Sequence, residues 1–93
     1  MTADRIRQPD IEKDFMAGVR IIRQKQKMSQ ADLCRLCELP QNIMTHLETG
    51  RTRLTLERAV AFQKALNTNI FDLIKIGSYH RYKLTMAGKG IVV

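Results

Sequence analysis

The chain has 93 residues, with sixteen Lys and Arg against nine Asp and Glu and a formal net charge of +7. This length predicts one domain with a single modest core and leaves no room for a separate catalytic lobe. The positive charge favours an anionic partner, and it does not choose between nucleic acid and an acidic membrane surface. No apolar run is long enough to span a bilayer and the first ten residues do not resemble a signal peptide, so we expect a cytoplasmic protein.

The first predicted helix begins after Asp10, a suitable N-cap that follows Pro9, and reaches about Lys27. Its apolar residues recur at steps of four and three and form one stripe, made of Ile11, Phe15, Val19 and Ile22. Acidic residues in the first turn, Asp10, Glu12 and Asp14, suit the helix dipole. The basic second half is also typical of a membrane-surface or partner-binding helix. We favour a core helix, because so short a domain needs this apolar stripe.

Two short helices with a break between them are predicted next. Ser29 is the expected N-cap of the second helix. Pro40 interrupts the helical pattern, because residues that precede a proline are disfavoured in helical geometry. The third helix is predicted from about Gln41 to Glu48, and Gly50 is expected to end it in a left-handed conformation.

Two more helices and a different C-terminal segment complete the chain. Thr55 is the predicted N-cap of the fourth helix and Asn67 its left-handed end. Asn69 and Asp72 have the spacing of a capping box for the fifth helix. Residues 79–85 and 91–93 are rich in β-forming side chains with glycines between them, which predicts either a β-hairpin or a frayed tail.

Two short helices joined by a tight turn, the second one exposing polar residues, are typical of a helix-turn-helix. Residues 29–34, Ser-Gln-Ala-Asp-Leu-Cys, followed by residues 41–51, Gln-Asn-Ile-Met-Thr-His-Leu-Glu-Thr-Gly-Arg, resemble the Cro/C1-type helix-turn-helix of phage repressors and of the XRE family of bacterial regulators. The resemblance extends over about residues 19–74. It implies an all-α, compact, five-helix, lambda repressor-like DNA-binding domain over residues 10–76. An N-terminal arm over 1–9 would precede it, and an extended or β-hairpin tail over 77–93 would serve dimerisation or partner binding.

The resemblance also implies roles for individual residues. The outer face of the third helix would contact base edges through side chains that donate and accept hydrogen bonds, namely Gln41, Asn42, Thr45 and His46. Gln30, at the start of the second helix, would contact a DNA phosphate. Three basic residues would do the same, namely Arg51, Arg53 and Arg23. Arg23 and Glu48 would form a structural ion pair that ties the first helix to the end of the third.

Three residues depart from the family pattern. Glu38 stands at the turn position where the family has Gly, and Pro40 stands where a hydroxyl cap is usual. Cys34 replaces a small Ala. These departures concern the conformation of the turn more than the recognition surface.

The spacing Cys34-x-x-Cys37 is found in redox and metal sites. A zinc site needs about four ligands, however, and neither histidine has ligand spacing. Because both cysteines fall on the apolar side of the second helix, we interpret them as core thiols and expect no metal and no cofactor. The sequence has no phosphate-binding loop, nucleophile elbow or carboxylate pair with a plausible pocket, so we expect no enzyme.

The sequence thus predicts a sequence-specific regulator of transcription, a repressor, that binds a palindromic double-stranded DNA operator as a homodimer. Helix five, through Phe71 or Ile76, and residues 79–93 are the expected dimer surface. The first alternative is an antitoxin that autoregulates its operon and binds a toxin through its tail. The second is an interaction module without DNA binding, which would not need a polar third helix beside basic residues.

Overall fold

Five helices make up the part of the chain that the computed structural model describes, which is residues 10–88, with side chains described up to Lys83. They are α1 (Ile11–Lys25), α2 (Gln30–Cys37), α3 (Gln41–Thr49), α4 (Leu56–Leu66) and α5 (Ile70–Gly88). The prediction of an all-α, five-helix domain is therefore confirmed. No helix within residues 10–88 combines the length and the hydropathy needed to cross a membrane.

Three of the helices begin at the N-caps that the sequence predicts. The side chains of Asp10, Ser29 and Thr55 each accept a hydrogen bond from the backbone N–H three residues further on. At Ser29 the carboxylate of Asp32 accepts in return from the Ser29 N–H, which completes a capping box. Such caps each contribute about 1 kcal/mol, because they satisfy N–H groups that lack a partner within the helix.

The capping box expected between Asn69 and Asp72 is wrong, because Asn69 caps the N–H group two residues on and not that of Asp72. Asn69 does accept, through Oδ1, from the N–H of Phe71 at 2.7 Å. Asp72 makes no return bond to Asn69 among the hydrogen bonds of residues 10–83. Asn is favoured at such positions because its short side chain bonds the backbone two residues on.

Left-handed residues end α2, α3 and α4. Gly50 and Asn67 have φ angles of 80° and 53°, as the sequence predicts. Glu38 also adopts this conformation, with φ 53° and ψ 50°, although a side chain there costs about 1–2 kcal/mol. The turn closes nevertheless, because the N–H of Leu39 donates to the carbonyl of Cys34 at 2.9 Å. The departures at Glu38 and Pro40 therefore leave the helix-turn-helix geometry in place.

The core lies where all five helices converge. Its fully buried side chains are mostly aliphatic, and each helix contributes at least one: Phe15, Val19, Leu33, Met44, Phe62, Leu66 and Leu73. Two of the aromatic rings, those of Phe15 and Phe62, pack with their centroids 6.1 Å apart. The polar face of α3 is thereby fixed relative to the rest of the domain.

Two glycines let the backbones of α1 and α5 touch. A Cβ atom added at Gly77 would overlap the backbone oxygen of Asp14, and one added at Gly18 would overlap the backbone oxygen of Leu73. Only glycine fits at such a close approach. The crossing of α1 and α5 therefore depends on two positions that carry no side chain.

The prediction of an extended or β-hairpin tail from residue 77 is wrong for residues 77–88, which continue α5 as one helix. The physical reason is packing against α1. Gly77 is buried at the crossing, and one turn further Arg81 donates through Nη1 to Asp14 Oδ1 at 2.6 Å. Tertiary contacts of this kind override the β-propensity of a short segment. The predicted arm over 1–9 and the second predicted strand over 91–93 lie outside the described residues.

Candidate nucleic-acid interface

The helix α3 has one buried and one exposed side. Met44 and Leu47 are buried in the core. Gln41, Asn42 and Thr45 are exposed on the other side, and His46 at its edge is half-buried. The structure thus brings the four predicted base-contacting residues onto one helix surface, and their contact with bases stays a prediction.

Thr45 and Thr49 are hydrogen-bonded to their own helix. The Thr45 hydroxyl donates to the carbonyl of Gln41 at 3.4 Å, and the Thr49 hydroxyl donates to the carbonyl of Thr45 at 2.9 Å. A hydroxyl has a single hydrogen, so Thr45 presents its oxygen as an acceptor and its methyl group to a ligand.

A chain of side-chain hydrogen bonds runs from Gln41 through Gln30 to Glu48. Gln41 Nε2 donates to Gln30 Oε1 at 3.2 Å, and Gln30 Nε2 donates to Glu48 Oε1 at 3.2 Å. Because an ionised carboxylate only accepts, it fixes which way the Gln30 amide faces, and the Gln30 oxygen then fixes the amide of Gln41. Gln41 keeps its oxygen and one N–H hydrogen free for a ligand.

The direct ion pair predicted between Arg23 and Glu48 is not among the ion pairs of the described residues. Arg23 donates through Nη1 to the carbonyl of Met28 at 3.0 Å, and Glu48 is engaged by Gln30. Arg23 Nε and Glu48 Oε2 are both buried without a hydrogen-bond partner. Arg23 on α1 and Glu48 on α3 are both half-buried, and each is bonded to a partner other than the predicted one.

The loop after α3 carries two exposed arginines, Arg51 and Arg53. Arg53 donates through Nε to Glu12 Oε2 at 2.9 Å, and the N–H of Leu54 donates to Glu12 Oε1 at 3.1 Å. The bond from the Leu54 N–H is the largest cause that lowers the pKa of Glu12, and the bond from Arg53 is the second largest. The sequence around Glu12 predicts only a favourable charge in the first turn of α1. No local signal identifies its partners, because they are more than forty residues away.

The two cysteines are free thiols, with Cys34 buried and Cys37 half-buried. Burial is the largest cause that raises the pKa of each thiol above its ordinary value, which disfavours the reactive thiolate. Within the described residues, no group of three or more His, Cys, Asp and Glu is placed to hold a metal ion. Core packing accounts for both residues.

Comparison with known proteins points to the same segment. The family model HTH_3, described as helix-turn-helix, matches residues 19–73, more than half of the chain. Two crystal structures of the clp gene regulator ClgR from Corynebacterium glutamicum have the same fold, with TM-scores of 0.69 and 0.71 at 18% and 19% sequence identity. The first comparison covers 78% of this chain and 95% of that chain, and the second covers 89% and 87%. No curated protein sequence gave a significant match. The chain therefore belongs to the HTH_3 family of helix-turn-helix proteins, the Cro/C1 or XRE type, which are DNA-binding regulators of transcription.

Proposed function

We propose that this protein represses transcription by binding a palindromic operator, with α3 in the major groove of each half-site. The observation that carries the proposal is the exposed polar side of α3, on which Glu48 and Gln30 hold the amide of Gln41 in one orientation. A side chain fixed before binding loses less conformational freedom in the complex. Such an arrangement suits recognition of a particular base.

Adenine is the base that fits Gln41. The free oxygen of its amide accepts from the N6 amino group, and the remaining N–H hydrogen donates to N7, a bidentate contact of about 1–3 kcal/mol. Asn42 can make the same pair of bonds at the next base. Thr45 offers an acceptor and a methyl group, and His46 reaches the edge of the same surface.

In this proposal, groups that contact DNA phosphates lie around the exposed side of α3. Gln30 lies at the N-terminus of α2, where free backbone N–H groups favour an anion. Arg51 and Arg53 are exposed in the loop after α3. Arg23 is half-buried and already bonded to Met28, so it has fewer donors left for DNA.

The outer face of α5 supports a homodimer. Its exposed residues recur at steps of four, three and four and form one stripe, made of Phe71, Lys75, Ser78 and Tyr82. In an antiparallel pair of α5 helices related by a two-fold axis, Phe71 of one copy meets Tyr82 of the other. Phe71 and Tyr82 are 73% and 60% exposed, whereas Ile76 is half-buried, so Phe71 is the better contact. Two subunits would place their α3 helices about 34 Å apart.

A toxin is the alternative partner for this stripe. Sedimentation of the isolated protein distinguishes the homodimer from a complex with a toxin, because a homodimer forms without any second component. A Phe71→Asp variant should then sediment as a monomer, with Asp72→Asn on the same helix as its control. A wild-type protein that stays monomeric at tens of micromolar would contradict the homodimer.

Base recognition is tested by measuring how tightly the Gln41→Ala variant binds two different DNA duplexes. Selection from a random duplex library supplies the preferred site, and a scrambled duplex of equal length supplies the reference. We expect Gln41→Ala to bind the preferred site about 5- to 150-fold more weakly, since a bidentate pair contributes about 1–3 kcal/mol, and to bind the scrambled duplex as the wild type does.

Gln24→Ala is the matched control, because Gln24 is an exposed glutamine outside α3. Equal losses on both duplexes would remove Gln41 from the base-contacting set. If the selection returned no common sequence, sequence-specific binding itself would be contradicted.

A further inference from the structure

Glu12 connects the first turn of α1 to the loop that carries the basic residues. One carboxylate oxygen accepts from the backbone N–H of Leu54 and the other from Arg53 Nε, at 3.1 and 2.9 Å. The Arg53 side chain is otherwise 88% exposed. Within residues 10–83 no hydrogen bond from Nη1 or Nη2 of Arg53 is formed, so the guanidinium is held along one edge only.

The geometry of a guanidinium decides what this contact leaves free. The group is planar and carries its five N–H bonds in a fixed fork. When Nε binds a carboxylate, the edge formed by the two terminal nitrogens points away from that carboxylate. That edge makes two parallel bonds to a phosphate. Glu12 therefore leaves the phosphate-binding edge of Arg53 open and gives it a direction.

Glu12 is itself fixed. Its neighbours on α1 anchor that helix, since Phe15 is fully buried and Asp14 is bonded to Arg81 of α5. The bond from Leu54 also holds the loop backbone against α1, next to the N-cap of α4 at Thr55. The lowered pKa of Glu12 agrees with a carboxylate that stays ionised at neutral pH.

We propose that Glu12 is a positioning residue for the DNA backbone: it holds the loop after α3 and directs the terminal nitrogens of Arg53 toward a phosphate, without touching DNA itself. This inference rests on the proposed function. It runs against simple electrostatics, because removal of a negative charge from a DNA-binding protein ordinarily strengthens binding. The sign of the effect of Glu12→Gln therefore tests it.

The experiment measures binding to a scrambled duplex by fluorescence anisotropy at several salt concentrations. Asp72→Asn is the matched control, since it removes one exposed carboxylate from the first turn of another helix. We expect this control to bind as tightly as the wild type or slightly more tightly. Glu12→Gln should bind about 3- to 10-fold more weakly. The variant no longer holds Arg53 and the loop in place, and this weakens one phosphate contact.

The variant Arg53→Ala shows whether the effect passes through the arginine. Alone, Arg53→Ala should weaken binding. It should also reduce, by about one, the slope of the logarithm of the binding constant against the logarithm of the salt concentration. Added to Arg53→Ala, the Glu12→Gln change should cause at most a twofold further loss. Exchange of the Leu54 amide hydrogen, measured by NMR, should be faster in Glu12→Gln and unchanged in Asp72→Asn, with both variants folded.

Two results overturn the inference. If Glu12→Gln binds as tightly as Asp72→Asn, or more tightly, Glu12 does not position Arg53 for DNA. If its full loss persists in the Arg53→Ala background, the effect belongs to the loop and not to the arginine. A wild-type protein that binds no duplex at any salt concentration is a different outcome, which contradicts the proposed function and the inference together.

Discussion

The contact between α1 and α5 and the contact between α2 and α3 are built in opposite ways. At the first, two glycines bring the helix backbones together, and a nearly buried carboxylate, Asp14, is bonded to Arg81. At the second, a three-residue turn joins short helices, and polar side chains from both form an open hydrogen-bond chain. The first contact tolerates almost no change of volume, whereas the second keeps its side chains available to a partner.

This difference separates stability from binding within one small domain. Close backbone packing makes a rigid frame, because any added atom must displace a helix. An exposed side chain such as that of Gln41 contributes little to the free energy of unfolding, and it can form new hydrogen bonds with DNA. Substitutions in the two regions should therefore affect different measurements.

The largest effect should come from Gly77→Ala. The new methyl group would overlap the backbone oxygen of Asp14, so α5 must move away from α1. We expect a loss of about 3 kcal/mol or more in the free energy of unfolding, although alanine is the better helix former by about 1 kcal/mol. Urea denaturation measures the loss, and Gln24→Ala at an exposed position of α1 is the control. An unchanged midpoint would mean that the crossing is not close.

A smaller loss should follow from Arg81→Ala. It leaves the carboxylate of Asp14, a residue only 6% exposed, without its charged partner. Since Arg81 itself is partly exposed, we expect about 1–3 kcal/mol, less than for a fully buried pair. Lys64→Ala, which removes an exposed basic side chain from α4, should be nearly neutral in the same denaturation experiment. Equal losses in both variants would show that α5 is not held through Arg81.

The smallest effect, of opposite sign, is expected in the turn of the helix-turn-helix. Glycine at position 38 would remove the strain of a side chain in the left-handed conformation. We expect Glu38→Gly to raise the free energy of unfolding by about 0.5–1 kcal/mol, because the flexible unfolded chain offsets part of the gain. Glu38→Ala should give no such gain. Destabilisation by Glu38→Gly would mean that the Glu38 side chain makes a favourable contact in the turn.

The sequence predicts those features that depend on neighbours a few residues away. Asp10, Ser29 and Thr55 cap their helices because a side-chain oxygen reaches an N–H three residues on, and Gly50 ends α3 for an equally local reason. The exposed side of α3 follows from the helical spacing of Met44 and Leu47.

The features that the sequence does not predict join distant segments. The β-forming residues after Gly77 are helical because α1 lies beside them, and the bond between Arg81 and Asp14 spans 67 positions. Glu12 meets Leu54 across 42 positions, and Gln30 meets Glu48 across 18. No periodicity within a single helix encodes such pairs, so they depend on the packing of the whole domain.

The pairing of α1 with α5 also sets an order of events during synthesis. A chain made at about 5–20 residues per second needs roughly 3–13 s to extend from Asp14 to Arg81. During that interval Gly18 and Asp14 of α1 lack their partners on α5, while the contacts among α2, α3 and α4 join segments that are near in sequence. Of the five described helices, the first thus gains this contact only when the fifth has been made. A chain that stops before α5 cannot form the core contacts of Leu73 or the bond between Arg81 and Asp14.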